Sequence, residues 1–174
     1  MTTSLEHELT VLAGLLGQPE PESLAAVEEM ASEFPWLQSA LPELRQTPLT
    51  EWQAEHTRLF VNGIPRTLCP PFESYWRQGS MGGEFVPVIA GLFQRAGVEA
   101  NPEIPPDYLG SMLDLVVHLR QQPAEHADLL RELWEDHLAV WVPQFAARLV
   151  SSTSLALYGM LGSRLRDLFG GSHA

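Results

Sequence analysis

The sequence predicts an all-α protein, a single bundle of about eight or more helices. Apolar residues recur at three- and four-residue spacing through most of the chain, which is the signature of helices with one buried face. Proline and glycine cluster between these stretches rather than within them. No segment sustains the two-residue alternation of a half-buried strand, and no motif repeats at a fixed period. A chain of 174 residues fits one domain over residues 1–174 with one core. The closing GGSHA predicts a flexible tail over about 170–174.

Leu5, Leu9, Leu12, Leu15 and Leu16 place a first helix within residues 2–17, with Gly17 and Pro19 as its stop. PESLAAVEEMASEF makes a second, with Leu24, Val27 and Met30 on its apolar face and Pro35 after it. A third runs from about Leu49 to Val61, with Thr50 as a candidate cap and Trp52, Leu59 and Phe60 as apolar contacts. NGIPRTLCPP, residues 62–71, then breaks the helical pattern, because two proline sites and an Asn-Gly cannot continue it. A short aromatic segment at 72–78 leads through glycines to a helix over roughly Glu84 to Ala96, closed by Gly97. Pro106 suits the first position of the next helix, DYLGSMLDLVVHLRQQ. The following stretch, residues 123–152, keeps the helical period but contains Pro143, which predicts two helices or one sharp kink near Trp141. Leu155, Tyr158, Leu161, Leu165 and Phe169 face inward on a final helix.

The chain carries 22 acidic and 10 basic residues, all of the latter arginine, for a formal net charge of -12. That field repels nucleic acid and anionic membranes and attracts cationic segments. The N-terminus lacks the basic and apolar regions of a signal peptide, no apolar run reaches the length of a membrane span, and the one cysteine, Cys69, forms no internal disulfide. A cytosolic protein is expected.

Among the six histidines, none pairs with another at the spacing of two imidazoles on one helical face, so no metal and no other cofactor is indicated. Asp107, Ser111, Asp114 and His118 are spaced by four, three and four, which would place them on one helix face. Such a face suits either acid–base work or plain solvation. Ser80 lies in GSMGG, which lacks the spacing of a nucleophile elbow, and without lysine there is no phosphate-binding loop of the usual kind. An enzyme is not indicated. CPPFESYW, residues 69–76, sets Phe72, Tyr75 and Trp76 around Glu73. This suits a core plug or an apolar peptide groove, and one loop can be both.

These stretches occur in a telling order: Leu59-Phe60, CPPFESYW, PPDYLGSMLDLVVHL at 105–119, HLAVWVPQFAARL at 137–149 and the LYGMLGSRL end. The chain from about residue 49 to 169 resembles the cytosolic TorD/DmsD/NarJ-type chaperones. That resemblance implies a TorD-like helical bundle that is not an enzyme. It implies binding to the apo-form of a molybdenum-containing oxidoreductase subunit, by its twin-arginine signal peptide or another part, until the cofactor is inserted. Carried over residue by residue, it puts Leu59, Phe60, Pro71, Trp76 and Asp107 in the client-binding site, with Tyr108 beside them and Glu73 and Asp114 as further acids for the client's arginines. The family's Glu-Pro-x-Asp-His reads here Ile104, Pro105, Pro106, Asp107 and Tyr108, and Met112 stands where a downstream Glu is usual. A tyrosine keeps an aromatic face and a hydrogen bond but does not titrate near neutral pH. A small hydrolase or nucleotide-binding enzyme, and a structural subunit of a helical complex, are the alternatives. The expected state is a monomer, with a domain-swapped dimer open at the Pro- and Gly-rich hinges.

Overall fold

The computed structural model describes residues 4–171. Helix α1 spans Leu5–Leu15, α2 Ser23–Glu33, α3 Leu41–Gln46, α4 Leu49–His56 and α5 Glu73–Gln78. Then follow α6 Phe85–Arg95, α7 Leu109–Arg120, α8 Pro123–Arg131, α9 Ala139–Ser152 and α10 Ala156–Phe169. Among the described residues there is no strand, only one isolated antiparallel bridge between Phe72 and Tyr108. The all-helical expectation is borne out. Of the expected tail, Gly170 and Gly171 follow α10, and 172–174 lie outside the described residues.

One apolar cluster runs from Leu9 to Phe169. The pairs α9–α10 and α1–α7 pack most extensively. Gly162 permits the first of these: a Cβ there would lie 2.9 Å from Val150 Cγ2 and 3.0 Å from the Ala146 carbonyl oxygen of α9. Trp141, Phe145 and Tyr158 fill the centre, and Trp52 Nε1 donates to the Tyr158 hydroxyl at 3.0 Å.

Several boundaries differ from the sequence expectation for local reasons. Residues 35–48, left unassigned by the pattern, form a 3-10 turn over Pro35–Ala40 and then α3, each with proline in its first turn. No side chain caps α4, so Thr50 is not its cap; Pro48 precedes the helix. A π-helical turn, Thr57–Val61, prolongs α4, with the Asn62 amide reaching the Thr57 carbonyl at 2.8 Å. A second π turn, Glu132–Leu138, joins α8 to α9. The irregularity therefore precedes Trp141, and α9 continues through Pro143. Helix α7 starts at Leu109 rather than Pro106, because Tyr108 is held extended against Phe72.

Candidate functional site

Two proline-rich loops meet at the head of α5. The Leu109 amide donates to the Pro71 carbonyl at 2.8 Å, and the Glu73 amide donates to the Asp107 carbonyl at 3.2 Å. Phe72 and Tyr108, on the paired backbones, bring their rings to 5.6 Å. Asp107 Oδ2 accepts from the Ser74 amide at 2.9 Å, so a carboxylate distant in sequence caps this six-residue helix, which no local side chain caps.

The predicted site residues separate into two groups. Leu59 and Phe60, on the π turn, are buried; Phe60 packs against His56, Phe145 and Tyr158. Pro71 is buried in the loop pairing, and Glu73 and Asp107 have no exposed surface. These five residues build the support of the loop rather than an open wall. Trp76 is half-buried, donating Nε1 to the Pro70 carbonyl at 2.7 Å and setting its ring on edge against Phe145. Tyr108 is also half-buried. Burial and the nearby Asp114 charge push its hydroxyl up to about 12.

Asp114 is exposed and lines a pocket of about 210 Å3 with Glu99 and Ser111. Partial desolvation there raises its carboxyl above the usual carboxylate range. Asp107 precedes α7 and is buried, so the single face of Asp107, Ser111, Asp114 and His118 does not form. Among the described residues no group of three metal-ligating side chains occurs. No helix among them is long and apolar enough to cross a membrane.

The open apolar surface lies beside this support. A groove of about 700 Å3 runs between α6 and the loop 100–106, with Met81 and Gly82 on one wall, Val86 and Ala90 on the floor, and Ile104 and Pro106 opposite. It adjoins the smaller pocket, since Ala100, Asn101, Ile104 and Pro106 line both. Glu99, Glu103 and Asp114 supply carboxylates around the two, and no arginine lines either. These groove residues were missed in the sequence. Helix α6 carried the signal: Ile89, Leu92 and Phe93 already satisfy the core, leaving Val86, Val88 and Ala90 as surplus apolar residues.

Residues 20–147 match the model of the family described as nitrate reductase delta subunit. The chain belongs to that family. Over 162 residues it is 28% identical to chaperone protein TorD of Escherichia coli O157:H7 (strain EC4115 / EHEC), covering 88% of this chain and 75% of that protein. Its fold matches a crystal structure from Archaeoglobus fulgidus, of a protein assigned to redox enzyme maturation. The TM-score is 0.73 and the identity 19%, over 98% of this chain and 97% of the other. Family and relative together indicate a chaperone, not an enzyme. The nitrate reductase delta subunit family thus includes the TorD-like resemblance read from the sequence, and the hydrolase alternative falls.

Proposed function

We propose that this protein is a cytoplasmic, client-specific chaperone. It binds the apo-form of a molybdenum-containing oxidoreductase subunit by its twin-arginine leader and keeps it from export until the cofactor is in place. The observation that carries this reading is the open apolar groove at α6, with Glu103 on its lining, Glu99 and Asp114 on the adjoining pocket, and no arginine lining either. An apolar leader segment would lie along Met81, Val86 and Ile104, and its arginines would be favoured by the surrounding acids. Trp76, Tyr108 and Asp114 flank the groove. Leu59, Phe60, Pro71, Glu73 and Asp107 hold the aromatic loop that supports it. The continuous apolar cluster from Leu9 to Phe169 supports the reading of one domain.

The test is titration of the purified protein with a synthetic twin-arginine leader from a molybdoenzyme of the same organism. Ile104→Asp is expected to weaken binding by more than tenfold while leaving the melting temperature within about 2 °C, as for a surface change. Unchanged affinity would remove the groove from the mechanism.

A further inference from the structure

Two imidazoles meet across the hairpin of α7 and α8. Only Gln121 and Gln122 separate the two helices, and the tight connection brings His118, in the last turn of α7, against His126, early in α8. Their ring centroids lie 6.1 Å apart and the planes tilt by 40°. Spacing within one helix does not show this pairing, because the turn supplies it. The other histidines among the described residues are already engaged: His7 pairs with Glu33 at 3.2 Å, His56 Nε2 donates to the Leu16 carbonyl at 2.8 Å, and His137 lies 2.8 Å from Glu73. His118 and His126 make no hydrogen bond and no ion pair among those residues, and each is half-buried against the other with one side open.

A neutral imidazole offers one nitrogen lone pair, and the ions that take it best are divalent transition metals such as copper, nickel and zinc. An ion about 2.1 Å from each coordinating nitrogen holds two ring centroids roughly 5–6.5 Å apart, depending on the angle at the metal. The observed separation falls within that range. The formal net charge of -12 favours the approach of a cation. No third histidine, cysteine, aspartate or glutamate completes a metal-binding group with them among the described residues, so the remaining positions on the ion fall to water.

We propose that His118 and His126 form a two-histidine site for a divalent transition-metal ion, with Cu2+ held more tightly than Zn2+. Bound there, the ion ties α8 to α7 across their turn. The folded chain presents the two rings together and the unfolded chain does not, so binding stabilises the native state. The site is independent of the groove at α6 and of any client.

The experiment titrates the chelator-stripped full chain with Zn2+ or Cu2+ alone. Zn2+ is expected to shift the imidazole nitrogen resonances of His118 and His126 in parallel by NMR, and bound Cu2+ to show two nitrogen ligands by electron paramagnetic resonance. Both readouts use the unmodified protein, so they decide the matter even if a variant folds poorly. By calorimetry, His118→Gln and His126→Gln should each weaken Zn2+ binding by about tenfold or more, since loss of a ligand costs at least as much as loss of its supporting contacts. His7→Gln should leave it unchanged. Zn2+ should raise the melting temperature of the unmodified chain and of His7→Gln, but not of the other two variants. Movement of only one of the two rings, or binding that survives in either the His118 or the His126 variant, would show an adventitious ion only and overturn the site. Absence of binding to the unmodified protein would overturn it as well, and would leave the two rings as a simple aromatic contact.

Discussion

Glu73 and His137 join the aromatic helix to the second π turn: His137 Nδ1 lies 2.8 Å from one Glu73 carboxylate oxygen and 3.1 Å from the other. Glu73 also accepts from Arg77 at 2.8 Å, and Arg77 donates onward to the Asp136 carbonyl at 3.1 Å. A carboxylate with no exposed surface is tolerated because both of these donors reach it. The sequence reading gave Glu73 to the client's arginines, whereas the fold already occupies it with its own.

Removing Glu73 leaves His137, which is buried, without its acceptor. Glu73→Ala should therefore destabilise the protein by about 3–5 kcal/mol, the cost of breaking a buried pair. Urea unfolding measures it, and a loss below about 1 kcal/mol would show that the pair is not what anchors α5.

His56 predicts how stability falls in mild acid. Its Nε2 hydrogen donates to the Leu16 carbonyl at 2.8 Å, which leaves Nδ1 to take the added proton, and Nδ1 is buried without a partner among the described residues. Burial lowers the imidazole from its ordinary value of 6.5, only partly offset by the Leu16 bond. The unfolded chain thus binds the proton first as pH drops. Stability is full above 6.5 and declines below it, by at most about 1.4 kcal/mol per pH unit for this one group, until the folded value is reached. An NMR titration showing His56 protonated at or above pH 6.5 in the folded protein would refute this.

The helices were legible because burial alone dictates their period: α1, α7 and α10 bury most of the leucines that they carry in the sequence. The π turns were not, since Thr57–Val61 and Glu132–Leu138 keep helical spacing and differ only in which carbonyl each amide reaches. At the site, aromatic and acidic residue types announced that 69–76 and 107–108 mattered. Their roles depended on a pairing between loops more than thirty residues apart, and local pattern carries no information on such a pairing. Asp107 read as an acid for the client because nothing near it in sequence reveals that the Ser74 amide would claim it.

In alkali the order of titration reverses. Burial pushes the Cys69 thiol from 9.0 up to about 11, and burial with the Asp114 charge pushes the Tyr108 hydroxyl from 10.0 to about 12. In both cases the unfolded state loses its proton first, so the stability these groups contribute is complete below about 9 and is lost as pH rises through 11 to 12. Cys69 should also react with a thiol reagent at pH 8 at the rate of global opening, accelerating steeply with urea. Prompt labelling of the native protein would place the thiol at the surface.

Gly162 sets two effects of similar size against each other. Alanine in a helix interior is favoured over glycine by about 1 kcal/mol, so Gly162→Ala would stabilise α10 were the site open. Here the new methyl would stand 2.9 Å from Val150 Cγ2 and 3.0 Å from the Ala146 carbonyl oxygen. The valine can rotate, but the carbonyl belongs to the backbone of α9, and separating the two helices costs about 1–3 kcal/mol as overpacking. The net expectation is a destabilisation of about 1 kcal/mol by thermal or urea unfolding. Adding Val150→Ala relieves only the side-chain clash and should not restore full stability. Full recovery in the double variant would mean that Val150, and not the approach of the α9 backbone, is what requires glycine at 162.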